Sequence, residues 1–264
     1  MAAPNRWAVR EAAEATFFDL VTGDAIVTLK TLKMTEVQTT GETVYARGGR
    51  GNAKLVGFSS NREATVSLQD AIFDNKAMAM LTGNTITAGA VNIDVVHEAI
   101  VPSTPTITLP KKVEGIHTVY ILADDAITNE TKLTVKTTGS ADATSCVLNG
   151  QVLTFDASHE GERIKIYYKT ETDASAKTVK VTSDRFGGTF KLVCDVMIRD
   201  EATKKDYFGQ FIVPNAKIED EFSFNFSPDG DPSVLDIPME ILKDPASEDM
   251  WQLVIYDDEL IPAT

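Results

Sequence analysis

Apolar and polar residues alternate with a period of two along most of this chain, the signature of strands with one buried face. Residues 24–38 read as one extended strand, with Ile26, Thr28, Lys30 and Leu32 on one side and Val27, Leu29, Thr31 and Lys33 on the other. Glu63 to Leu68 alternates again and places Ala64, Val66 and Leu68 on a common face. The pattern is strongest over residues 189–226. A strand Thr189–Arg199 carries Phe190, Leu192, Cys194, Val196 and Ile198 on one side, a polar turn Asp200–Asp206 follows, and Tyr207–Val213 returns. A turn at Pro214-Asn215 then leads to a strand with Phe222, Phe224 and Phe226 on one face, and the whole predicts a β-meander. Past the turn Pro228–Pro232, Leu235, Ile237, Met239 and Ile241 alternate. Pro238 on the other side predicts an edge or bulged strand, because proline cannot donate to a ladder. Trp251, Leu253 and Ile255 continue the period.

One helix interrupts the strands. Ser67 and Asp70 have capping-box spacing, Asp74-Asn75 is an equally good start, and Gly83 fits a left-handed stop. Ile72, Phe73, Met78 and Leu81 are the expected buried stripe. Its methionines suit core packing, with a partner groove as the alternative.

Val101-Pro-Ser-Thr-Pro105 reads as a linker. Beyond it come short, evenly spaced strands: Thr106–Leu109, Thr118–Ala123, Lys132–Thr137, Ser145–Phe155 with a type I′ hairpin signal at Asn149-Gly150, Arg163–Lys169 and Thr178–Thr182. Such spacing predicts a small sandwich of immunoglobulin-like type. The expected organisation is mainly β. A discontinuous domain, residues 1–104 and 183–264, forms a β-sandwich or barrel flanked by one α-helix and carries an inserted small sandwich at 105–182.

Composition changes this picture little: 43% hydrophobic and 24% charged residues are ordinary for a globular protein. No apolar run approaches bilayer-spanning length, and the first residues lack the apolar core of a signal peptide, so a soluble protein made in a cytoplasm is expected. Charge is more informative. Residues 219–264 hold thirteen acids (Glu219, Asp220, Glu221, Asp229, Asp231, Asp236, Glu240, Asp244, Glu248, Asp249, Asp257, Asp258 and Glu259) against one base, Lys243. That segment therefore carries −12 of the net −14. It repels a phosphate backbone, since binding DNA requires Lys or Arg to displace counterions. Two readings stand: a solvated face that keeps the protein soluble, and a surface that faces nucleic acid without gripping it.

No constellation for catalysis is present in the sequence. Gly48-Gly-Arg-Gly-Asn-Ala-Lys54 lacks the spacing and the Ser/Thr of a phosphate loop and reads as a turn needing positive φ. His97, His117 and His159 are isolated, and His97-Glu98 has no second histidine at helical spacing. Asp229-Gly-Asp231 with Asp236 lacks the distal acid of a calcium loop and reads as a turn. Cys194 sits in an apolar alternation and reads as a small buried hydrophobe, and two cysteines make no disulfide framework. No enzyme, metal or cofactor is expected.

Three stretches resemble phage tail tube (major tail) proteins. Arg47-Gly-Gly-Arg-Gly-Asn-Ala-Lys-Leu-Val-Gly-Phe58 followed by Ala64–Phe73 is similar to their front half, and Phe186–Leu192 with Gly209–Ile218 to their later half. Phe222–Val234 resembles the strand and turn that follow. The inserted module resembles, more weakly, immunoglobulin-like decorations of phage structural proteins. The resemblance implies a virion protein assembled in the host cytoplasm, whose six copies close into rings that stack into a channel for DNA ejection. It implies contact with other tail proteins (sheath if the tail contracts, baseplate, tail terminator), passing non-adhesive contact with DNA, and none with membrane. The extended arm of about Thr35 to Asn52 is then the contact to the neighbouring ring, with Arg47, Arg50 and Asn52 at that interface. An electronegative lumen is the role implied for Glu219, Asp220, Glu221, Asp229, Asp231, Asp257, Asp258 and Glu259. The competing readings are an adhesin or decoration whose insert binds host-surface glycan through Tyr120, Tyr167 or Tyr168, and a baseplate-type structural part.

Overall fold

A computed structural model describes residues 3–9, 14–123, 128–223 and 232–257. The described chain is mainly β, with a single α-helix and curled sheets, consistent with a β-rich tube-like fold. It divides into two compact units, Met1–Ile86 with Val179–Thr264, and Thr87–Thr178.

In the first unit the strands are β1 Trp7–Val9, β2 Glu14–Phe18, β3 Ala25–Leu29, β4 Leu32–Gly48 and β5 Ala53–Asp70, followed by helix α1 Asn75–Thr82. The second unit contains β6 Thr87–Ala88, β7 Asn92–Ile100, β8 Thr106–Thr108, β9 Gly115–Leu122, β10 Asn129–Lys136, β11 Ser145–Asn149, β12 Val152–Thr154, β13 Arg163–Glu171 and β14 Lys177–Thr178. The chain then returns to the first unit with β15 Thr189–Asp200, β16 Asp206–Ile218, β17 Leu235–Leu242 and β18 Gln252–Tyr256.

Nine strands of the first unit form one sheet, in the order β3-β2-β15-β16-β17-β5-β4, with β1 also pairing β15 and β18 pairing β16. Alternation sets its buried face. Ala15 and Phe17, Ala64, Val66 and Leu68, Leu192 and Cys194, and Leu235 to Ile241 at every second position all enter one core. Helix α1 covers part of that core with Ala77, Met80 and Leu81. The Asp74 carboxylate caps the helix by accepting from the amides of Lys76 (2.7 Å) and Ala77 (3.1 Å), and Gly83 ends it at φ 64°. Of the two expected starts, the structure therefore uses Asp74; Ser67 and Asp70 remain in β5. Ile72 and Phe73 precede the helix and are exposed, so they are not part of its buried stripe.

Three other local expectations are corrected by pairing. The 24–38 stretch breaks at Lys30-Thr31, where the Thr31 hydroxyl donates to the buried Asp70 carboxylate. Pro214-Asn215 is not a turn. Leu192 pairs Val213 while Phe190 pairs Ala216, so β16 carries one extra residue there, and a bulge absorbs the missing proline donor without ending the strand. Pro238 lies in a strand paired on both sides, to β16 and to β5, rather than at an edge. Only Phe222 of the expected phenylalanine row falls within the described residues, and it packs against the core.

The second unit has its own core of Val119, Leu133, Leu153, Ile164, Ile166 and Tyr168. Its main sheet runs β7-β13-β9-β10-β11-β12-β8, with β10 and β11 parallel and β14 paired to β6 separately. β7 pairs β13 over its whole length, and Val101 is buried beside it, so this unit starts at Thr87 where the sequence pattern drew a linker at 101–105. The hairpin after β11 turns on Gly150-Gln151, with only Gly150 at positive φ (61°), one residue later than the Asn-Gly signal.

Candidate assembly surfaces

β4 and β5 form a hairpin far longer than the core beneath it. Ala64 is the last buried residue of β5 toward the hairpin tip, and residues 53–63 are exposed throughout, as are residues 36–47 of β4. About ten residues per strand beyond the Thr39–Ala64 pair make an arm of about 30 Å. Its turn is built by Gly49 (φ 78°), Gly51 (φ 92°) and Asn52 (φ 50°), with the Asn52 amide donating to the Gly49 carbonyl at 3.1 Å. Arg47 closes the β4 side of the turn, Arg50 occupies its middle and Asn52 its end; all three are exposed. At the base, Trp251 Nε1 donates to Thr39 Oγ1 at 3.1 Å.

Register separates the arm into two faces. Val44 opposes Phe58 and Ala46 opposes Val56, which puts Val44, Val56 and Phe58 on one side at 61, 53 and 62% exposure. On the other side Tyr45 opposes Gly57, and Lys54 stands 3.9 Å over the Tyr45 ring. Residues 43–62 contain Arg47, Arg50, Lys54 and Arg62 and no acid, in a chain of net charge −14. A two-stranded ribbon showing an apolar stripe to water is marginal alone, and such a stripe marks an interaction surface. The sequence pattern singled out Arg47, Arg50 and Asn52, which lie exposed at the tip of this hairpin, and not Val44, Val56 and Phe58. Their alternation is legible in the sequence; their exposure is not.

A second surface is the face of the large sheet opposite the core. It carries Glu14, Glu36, Asp195, Asp236 and Glu240 with Lys191 and Lys217. Glu14 and Asp195 are directly paired across strands, an unfavourable juxtaposition that Lys30, 3.6 Å from Glu14, partly offsets. Glu240 opposes Lys217.

The expected lumen acids are distributed unevenly. Asp220 and Glu221 are exposed just past β16, and Glu219 is half-buried with its amide bonded to the Pro238 carbonyl at 2.9 Å. Asp257 is 5% exposed and bound to Lys205 at 2.6 Å, so it serves an internal ion pair and not an open surface. Asp229, Asp231, Asp258 and Glu259 lie outside the described residues.

Among the described residues no three His, Cys, Asp or Glu side chains gather as a metal site, and no helix is long and apolar enough to cross a membrane. His117 pairs Asp94 and His159 pairs Glu162. Cys146 and Cys194 are free and buried, and desolvation raises their thiols to about 11 and about 12. At pH 8 both stay protonated, so iodoacetamide is expected to leave the folded protein unmodified and to alkylate both in urea; fast native labelling would contradict this burial.

No curated protein is matched by this sequence. A model of the YomU/Tube protein family, a name that points to a structural protein of phage tail tubes, matches residues 7–254. That match takes in nearly the whole chain, the arm and both compact units included, and the chain therefore belongs to the YomU/Tube protein family.

Proposed function

We propose that this chain is a virion protein that associates with its own copies into stacked hexameric rings, forming the tail tube through which phage DNA is ejected. The observation that carries this reading is the arm. A hairpin of about 30 Å, apolar on one face and basic at its end, has no use for that stripe in an isolated chain. In a stack it reaches an acidic neighbouring copy, where Arg47 and Arg50 pair with carboxylates. Family membership supports self-association and contact with other tail proteins in general; sheath, baseplate and tail terminator are the partners we propose.

The acid-rich face of the large sheet, with Glu219, Asp220 and Glu221, is our candidate for the channel wall. Like charge on the wall and on DNA prevents adhesion during passage. The second unit is read as an immunoglobulin-like decoration carried by the tube domain, with no part in the channel.

The arm's role is tested by Arg47→Glu combined with Arg50→Glu. Loss of two exposed ion pairs is expected to raise the concentration needed for assembly by about tenfold at moderate salt, with folding unchanged. Tubes forming at the wild-type concentration would remove these arginines from the interface.

A further inference from the structure

The outer face of β7-β13-β9-β10 in the second unit, like the arm, departs from the acidic character of the chain. Register places Lys132, Tyr120, Lys165 and Glu98 in one row across the four strands, and Tyr167 and Val96 in the next. Tyr120 and Tyr167 meet edge to face, ring centroids 6.3 Å apart, while Tyr168 points into the core. Two acids of this face are engaged, Glu98 with Lys165 at 2.7 Å and Asp94 with His117 at 2.7 Å, and a third, Glu171, stands exposed at its end opposite Asn92. Lys132, Arg163 and Lys169 also project here and make no ion pair among the described residues. Val96 and Ile100 remain 50 and 56% exposed beside them. Two tyrosines, an arginine and two aliphatic side chains ringed by lysines have the composition of a protein interface core rather than of a solvated sheet face.

The surface that complements it is present on the same chain. The loop between β17 and β18 presents Asp244, Glu248 and Asp249 with a single base, Lys243, which pairs Glu248 at 2.6 Å. Exposed Leu242 and Trp251 flank the loop. Its carboxylates are held in place: the Ser247 hydroxyl lies 3.0 Å from oxygens of both Asp244 and Asp249, and the Asp244 amide donates to the Asp249 carbonyl at 3.1 Å. A loop already ordered loses little entropy on docking.

We propose that the Tyr120/Tyr167 platform of one copy docks the Leu242–Trp251 loop of a second copy, so that the inserted unit clamps neighbouring subunits. The contact joins different surfaces on the two copies, a heterologous geometry that closes rings or propagates stacks. It deepens the self-assembly reading and rests on it.

Two full-length charge reversals test it: Lys132→Glu, Arg163→Glu and Lys169→Glu on the platform, and Asp244→Lys, Glu248→Lys and Asp249→Lys on the loop. Circular dichroism checks folding, and the platform triple Gln variant is the alternative should the Glu variant misfold. Each variant alone is expected to need at least about tenfold more protein to assemble at 0.15 M salt, the shift weakening as salt rises. An equimolar mixture of the two reversals is expected to assemble at close to the wild-type concentration, because each platform then meets an opposite loop on another copy. Wild-type assembly by either variant alone, or no rescue on mixing, overturns the clamp. So does a platform variant that assembles normally but loses binding to immobilised heparin, which would make the occupant an anionic polysaccharide. Failure of the wild-type chain to assemble at all would instead strike the tube reading.

Discussion

A chain carrying Val44→Asp together with Phe58→Lys is expected to fold normally and to stay monomeric. The two residues face each other across the arm, so the new pair keeps a favourable cross-strand contact. Both side chains are more than half exposed, and surface changes of this kind shift folding stability by about 0.5 kcal/mol or less. Assembly is affected differently. If the stripe is buried against a neighbouring copy, losing a valine and a phenylalanine forfeits about 1.5–3 kcal/mol each, and burying charge there adds a further penalty. The transfer loss alone, about 3–6 kcal/mol, raises the assembly concentration by about two to four powers of ten. Sedimentation velocity beside thermal unfolding reads both effects. A variant that still forms tubes at the wild-type concentration would show that the stripe faces solvent in the assembly.

Gly83→Ala is expected to cost about 2–4 kcal/mol of folding stability. Two causes act together. Gly83 ends α1 in the left-handed region at φ 64°, where alanine costs about 1 kcal/mol. A Cβ at that position would also fall on the carbonyl oxygen of Phe186, far inside contact distance, and backbone on both sides must move. Gly49→Ala is the control: its φ is 78°, but no atom lies within 4 Å of the added carbon, so only the conformational cost applies. Urea denaturation of both variants separates the terms. Equal losses would mean that the Gly83–Phe186 approach is relaxed in solution.

Many of the strands, the helix stop and the β class were legible in the sequence, because local sterics and a period of two fix those, whereas the strand expected at Thr178–Thr182 ends at Thr178. It misjudged features that depend on what lies beside a strand. Pro214 reads as a turn and Pro238 as the mark of an edge or bulged strand, yet the first sits in a bulge within β16 and the second between two partner strands. β7 alternates like any strand, and only its pairing with β13 assigns it to the second unit. The arm is the sharpest case. Val44, Val56 and Phe58 alternate just as Ala64, Val66 and Leu68 do, but the first set is exposed and the second buried. Periodicity defines faces and is silent on what covers them. The acids behave likewise: Asp257 and Glu221 look equivalent in sequence, and the structure buries one against Lys205 and leaves the other in water.

Negative-stain electron microscopy of the purified chain across a concentration series shows whether it assembles into tubes. Rings with an axial hole that stack into tubes as concentration rises are the expected result. Particles that remain monomeric at every concentration and salt would contradict it.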